Sequence, residues 1–245
     1  MTHAKPIIVI THGRSGSNLL LEYLDQCPGV IALNEIFRAA KPPGVDAISD
    51  RIDVSGTRLA KLAEMQKTDH VLFWRMLQRT LAAQDFRAAA KIFHGHVPRE
   101  DRLWTAFRTA KVLHLVRENI LAAIVSKTLA RRSRRWKSES YREDYDAEPI
   151  VVSKRMCAKL LATLEADLRW AREKYRAADY SEIRYEDIAT IETAQDILTK
   201  ALETQVVLHE QKIVRQRRRP LNEVVANYAE VAKFDRGFAL VRDTR

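Results

Sequence analysis

Apolar and polar positions alternate between two periods along this chain, and each period marks a kind of element. Short, almost wholly apolar runs occur at 6–10, 30–33, 88–93 ("AAAKIF") and 111–116 ("KVLHLV"). Runs of that length bounded by charge predict strands buried on both faces. Between them the spacing shifts to three and four. Leu20, Tyr23 and Leu24 predict a helix from Ser17 to Gln26, which Cys27-Pro28-Gly29 ends. Further helices are predicted at 57–65, 69–83, 118–131 and 190–203. Met156, Leu160, Leu161, Leu164, Leu168, Ala171 and Tyr175 form the apolar stripe of one long helix over 152–177. "YSEIRYEDI" (180–188) reads as a strand and "LNEVVANYAEVAKF" as a closing helix after Pro220. Residues 39–56, with Pro42, Pro43 and Gly44, read as a loop able to cover a site.

Strands alternating with helices predict an α/β fold: a P-loop-like three-layer arrangement with a mostly parallel central sheet flanked by helices. Ligands of such sheets sit at the carboxyl ends of the strands. No internal repeat divides the chain, and 1–245 reads as a single domain.

Composition narrows the class. With 46% hydrophobic and 30% charged residues the chain has the balance of a soluble globule. The apolar run near the N-terminus is too short for a signal peptide or membrane span, so no transmembrane segment and a cytoplasmic location are expected. Cys27 and Cys157 are far apart and read as reduced, interior thiols. The net charge of +10 calls for an anionic partner. Nucleic acid, a membrane surface and a phosphorylated small molecule all answer to it. Part of the excess lies in "ARRSRRW" (130–136) and "RQRRRP" (215–220), but single arginines also stand at strand ends, which points to a pocket.

The sharpest motif is "THGRSGSN" at 11–18, directly after the first apolar run. A glycine-containing turn from strand to helix presents consecutive N–H groups at the positive end of a helix dipole and binds tetrahedral anions. Gly13, Arg14, Ser15, Gly16, Ser17 and Asn18 occupy that turn. Arg14 adds a charge-assisted fork and Ser17 a hydroxyl donor. A plain turn carrying a surface arginine is the alternative. A magnesium-dependent nucleotide hydrolase would need Lys and Ser/Thr after the second glycine, and a carboxylate ending another strand. Here Ser17-Asn18 follows the glycine and Arg117 ends "KVLHLV". That disfavours a P-loop kinase and favours a second phosphate bound without metal. Ser126, Ala123, Ala122 and Asn119 fall on one face of the next helix leading toward Arg117.

These residues resemble the sulfotransferases that use 3′-phosphoadenosine-5′-phosphosulfate. "VITHGRSGSNLL" is similar to the family's 5′-phosphosulfate loop, and "LVRENILAAIVSKTLA" to its 3′-phosphate motif of Arg117 followed by Ser126. The spacing is nearest to bacterial carbohydrate sulfotransferases of the trehalose and Nod-factor type. "DQCPGVIALNEIF" resembles a segment with a glutamate base, here Glu35. "KIFHGHVP" resembles one with a catalytic histidine, here His96. "RYEDI" (184–188) resembles a family strand end, where Glu186 and Asp187 read as structural. The family's glycine-rich 3′-phosphate loop has no clear counterpart; Arg215, Arg217 or Arg218 could replace it. Arg14 stands where cytosolic members carry lysine.

The resemblance implies metal-independent, in-line sulfuryl transfer to a hydroxyl of a carbohydrate or glycolipid, with adenosine 3′,5′-bisphosphate as the nucleotide product. Glu35, His96 and Arg14 are its catalytic candidates. Gly13, Arg14, Ser15, Gly16, Ser17, Asn18, Arg117, Ser126, Arg217 and Arg218 are its donor-binding candidates. Either Glu35 or His96 could be the base, and Lys91 could also touch the transferring group. His94 and His96, two apart on an extended segment, would share a face. No nearby cluster completes a metal set, so no metal ligand is assigned. The run 131–136 reads as a lid or a solvated face. A nucleic-acid binder remains a rival on charge alone, without a recognisable module, and no specific nucleic acid is expected as partner. Oligomeric state is left open.

Overall fold

The computed structural model describes residues 5–38, 46–134, 136, 148–210, 217 and 219–235. Five strands form one all-parallel sheet: β1 (Ile7–Thr11), β2 (Val30–Leu33), β3 (Arg87–Phe93), β4 (Lys111–Val116) and β5 (Asp179–Arg184), in the order β2-β3-β1-β4-β5. The expected α/β class is therefore borne out, and the sheet is parallel throughout. β1 is buried along its whole length because it lies between β3 and β4 and is covered on both faces.

Each face has its own cluster. Ile8, Ile10, Ala88, Ala90, Ile92 and Val112 pack against helices α3 (Gly56–Thr68), α4 (His70–Ala82), α5 (Arg102–Ala106) and α7 (Lys154–Lys174). On the other face Ile7, Val9, Ala89, Leu113, Leu115 and Ile183 meet α1 (Ser17–Asp25) and α8 (Ile191–Leu202). A third cluster joins α6 (Ile120–Ser133) to α7 through Val125, Leu129, Leu164 and Leu168. Cys27 and Cys157 are both buried free thiols, as expected. Among the described residues no helix is long and apolar enough to cross a membrane.

Differences from the expected elements have local causes. The predicted strand 180–188 stops at Arg184, where Arg184 pairs with Asp187 across a turn at 2.6 Å. The predicted closing helix is broken into α9 (Leu221–Val224), α10 (Tyr228–Val231) and a 3-10 turn. Between the two, Ile150 N–H donates to the Val224 carbonyl and Ala226 N–H to the Ile150 carbonyl, which pulls the backbone out of helix. The Asn227 amide completes the break by bonding both backbone groups of Val152 at 2.9 Å. Two short helices were not legible, α2 (Asp46–Ser49), inside the expected loop, and α5. Asp101 caps α5 by accepting from Leu103 N–H at 2.8 Å. On α7 the stripe is rotated slightly, so that Cys157 is buried while Met156 is 45% exposed.

Candidate functional site

Sequence forces the anion loop into an unusual backbone. Arg14 has φ 69° and Gly16 φ 88°, both left-handed. Glycine adopts that region freely, whereas an arginine there costs about 1 kcal/mol. Surrounding bonds hold Arg14 in place. Its Nε donates to Ser126 Oγ at 3.0 Å, its Nη1 donates to the Trp136 carbonyl at 2.6 Å, and its own carbonyl accepts from Arg117 Nη1 at 3.0 Å. Arg117 also lies over the Tyr185 ring, 4.5 Å from its centroid. The structure thus brings together Arg14, Arg117 and Ser126, residues that are far apart in the chain. The Ser15 hydroxyl turns inward, 2.5 Å from Thr11 Oγ1 and 2.7 Å from the His12 carbonyl.

Asn119, seven residues before Ser126, is the N-cap of α6, where its Oδ1 accepts from Ala122 N–H at 2.8 Å and its Nδ2 donates to Asp235. Asparagine wins that position because its amide satisfies a helix-end N–H that alanine could not. Glu186, read as structural, accepts from the N–H groups of Glu118 and Asn119 and so fixes the turn after Arg117.

A second group lies at the other side of the loop. Lys91, on β3 opposite Val9, is 1% exposed and donates to Asn18 Oδ1 at 2.6 Å. Its Nζ is 3.4 Å from Glu35 Oε1, and His96 Nε2 is 3.7 Å from Glu35 Oε2. Glu35 is held by its position just after β2, beside β3. His96 Nδ1 accepts from Phe93 N–H, which places the proton of the neutral ring on Nε2, toward the carboxylate. Burial is the main influence on His96 and lowers its pKa; Glu35 opposes this and the Arg38 and Lys91 charges add to it. A buried lysine is the strongest signal that sequence reading underused here, since a lone charge inside "AAAKIF" needs a partner.

His94 and His96 do not share a face as expected. β3 ends at Phe93, and His96 N–H bonds back to the Phe93 carbonyl at 2.9 Å, turning the chain. His94 goes into the interior instead, 3.1 Å from His114. Arg217 donates to the Arg219 carbonyl, and Arg215 and Arg218 lie outside the described residues. Of the basic run, Arg131, Arg132 and Arg134 are exposed, Arg132 bonding Glu148 at 3.1 Å, while Arg135 lies outside the described residues.

Residues 6–201 match the profile described as "Sulfotransferase family". Similar solved structures include a sulfotransferase from Alicyclobacillus acidocaldarius, 16% identical over 94% of this chain and 93% of that one, with a TM-score of 0.45. The sulfotransferase domain of the olefin synthase of Synechococcus PCC 7002 is 14% identical over 94% and 85%, with a TM-score of 0.43. The sulfotransferase domain from the curacin biosynthetic pathway is 14% identical over 85% and 76%, with a TM-score of 0.48. No curated protein sequence matches. The matched span runs from the strand that feeds the lysine-free anion loop through Glu35, Lys91, Arg117 and Ser126 to α8, and the chain belongs to the sulfotransferase family.

Proposed function

We propose that this sulfotransferase moves a sulfuryl group from 3′-phosphoadenosine-5′-phosphosulfate to a hydroxyl of a carbohydrate or glycolipid, as one cytoplasmic domain. The observation that supports it best is the pairing of two polar groups on one loop: Arg14 with Ser126 and Arg117 on one side, and Asn18 with Lys91 and Glu35 on the other. The residues fit such a donor, because the loop offers N–H groups at the start of α1 and two arginines beside them. The donor supplies a good leaving group, adenosine 3′,5′-bisphosphate.

Glu35 takes the acceptor's proton as the new S–O bond forms and the S–O bond to the 5′-phosphate breaks. Lys91 and the loop amides stabilise charge on the transferring group and leaving phosphate. Ser126, Arg14 and Arg117 hold the 3′-phosphate, and Arg117 keeps the loop in shape through the Arg14 carbonyl. His96 then serves as a donor that positions Glu35, since the bond to its Nδ1 directs its proton toward the carboxylate. Placing Arg14 with the 3′-phosphate group follows its bond to Ser126 and differs from a role at the leaving phosphate.

Calorimetry tests the nucleotide part. Adenosine 3′,5′-bisphosphate is expected to bind more tightly than magnesium-ATP; the reverse order would establish a kinase-like site. Ser126→Ala should weaken the bisphosphate by roughly tenfold, the value of one hydrogen bond to a charged group, and Arg117→Ala by roughly 50-fold. Persistent, steeply salt-dependent oligonucleotide binding in Arg117→Ala would instead favour a nucleic-acid binder. Transfer of labelled sulfuryl groups to a panel of sugars, glycolipids and phenols identifies the acceptor. Lys91→Met is expected to lower the transfer rate by roughly tenfold while bisphosphate affinity changes less than about threefold. An equal fall in both would assign Lys91 to ground-state binding.

A further inference from the structure

On the sheet face away from Lys91, a chain of hydrogen bonds fixes where protons sit. Arg172 grips Glu182 with Nε and Nη2 at 2.6 and 2.7 Å, so that carboxylate is ionised and only accepts. Tyr180 therefore donates its hydroxyl proton to Glu182 Oε1 at 3.0 Å and accepts from His114 Nδ1 at 2.8 Å. The ring proton of the wholly buried His114 is thus on Nδ1, and its Nε2 is the acceptor. His94 Nε2, 3.1 Å away, must then be the donor. With its ring proton spent on His114, the buried His94 presents Nδ1 as a bare lone pair. That atom is buried, has no hydrogen-bond partner among the described residues, and faces Asp167 Oδ1 at 3.8 Å.

A lone pair facing a carboxylate is repulsive unless something positive lies between them. The Arg99 guanidinium donates to Asp167 Oδ1, a bond that favours the carboxylate form. His12 Nε2 approaches the same carboxylate from the loop, 3.2 Å from Oδ2. The three donor atoms all lie within 4.8 Å of one another. We propose that His12, His94 and Asp167 form a transition-metal site, best matched to zinc, which clamps α7 and the end of β3 to the anion loop.

The donor set is chemically apt. Two imidazole nitrogens and a carboxylate oxygen suit zinc, whose bonds of about 2.0–2.1 Å at tetrahedral angles set donors about 3.3–3.4 Å apart. Closing the widest gap needs the side chains to draw together by about 1.4 Å in all, shared among the three. The sequence His94, His114, Tyr180, Glu182 then supplies the outer bonds that orient a metal-bound imidazole. Arg99 competes, because it bonds Asp167 Oδ1. Its side chain is 44% exposed and already reaches over the Trp170 ring, so it can leave that oxygen for solvent. Because His12 also accepts the Ser15 hydroxyl on its carbonyl, an ion here stiffens the loop without touching the transferring group.

The test uses the full chain, free of any histidine tag and stripped with chelator. Zinc titrated by calorimetry is expected to bind at one equivalent per chain, and cobalt to give the visible bands of a tetrahedral N/O site. X-ray absorption on the zinc-loaded wild type should show nitrogen and oxygen donors with imidazole scattering. Tyr180→Phe should weaken zinc by roughly 10- to 100-fold through the outer bonds, and His94→Gln or Asp167→Asn by at least about 100-fold. Wild type that takes up no stoichiometric zinc or cobalt overturns the proposal, leaving a bridging water as the occupant. So does zinc affinity unchanged in His94→Gln and Asp167→Asn. If those variants fail to fold, the imidazole count in the wild-type absorption spectrum decides: fewer than two ends the proposal.

Discussion

Glu35→Gln is expected to slow sulfuryl transfer by roughly 10²- to 10⁴-fold at saturating donor and acceptor, the range for removing a positioned general base. The substitution keeps the shape and one acceptor oxygen for Lys91, while its NH2 group replaces the oxygen that faced His96, a local change that leaves the fold in place. Adenosine 3′,5′-bisphosphate should bind within about twofold of wild type, because the carboxylate sits on the Lys91 side of the loop, away from Arg14 and Ser126. His96→Ala should cost less, on the order of tenfold. Its Nδ1 is engaged by the Phe93 N–H, and its remaining proton faces Glu35, so the ring positions a base and does not act as one. A Glu35→Gln enzyme with near-normal turnover would remove Glu35 from the mechanism. An inactive His96→Ala beside an active Glu35→Gln would reverse the two roles. Measuring single-turnover rates with labelled donor separates the chemical step from acceptor binding.

The apolar runs carried the sheet well, because strands buried on both faces leave little freedom in composition: Ile7 to Ile10 and Lys111 to Val116 sit where their patterns place them. The anion loop was legible for a similar reason, since its glycines and its place after β1 are local properties. What sequence could not supply were contacts made by topology. Nothing in the spacing tells that Arg14 reaches Ser126, or that Tyr185 slides between Gly16 and Arg117; the β1–β4 pairing creates the first neighbourhood and the β4–β5 pairing the second. Side-chain capping was the other blind spot. Asn119 and Asn227 fit a helical spacing, yet each spends its amide on backbone groups and ends or breaks a helix. His12 and Asp167 are 155 positions apart and neither belongs to a spaced metal motif, so their meeting was visible only in three dimensions.

Gly16→Ala is expected to be the most damaging small substitution in the described structure, lowering stability by about 2–4 kcal/mol and bisphosphate affinity by at least roughly tenfold. Two costs combine. With φ at 88° an alanine is strained by about 1 kcal/mol before any contact is counted. Its Cβ would also lie 2.1 Å from Tyr185 Cδ2 and 2.5 Å from Cε2, inside the ring's own volume. The ring cannot simply give way, because Arg117 rests on it and holds the Arg14 carbonyl at 3.0 Å. Displacing Tyr185 therefore loosens the residue that ties β4 to the loop, and affinity falls along with stability. Gly13→Ala is the control: a Cβ there meets nothing within 4 Å, and the midpoint of thermal unfolding should stay close to wild type. Pairing Gly16→Ala with Tyr185→Ala separates the two costs, since it relieves the clash but removes the ring under Arg117. Stability should recover in part while affinity stays low. If Gly16→Ala melts and binds like wild type, Tyr185 does not brace Arg117 against the loop, and the bracing of the nucleotide site must come from another element.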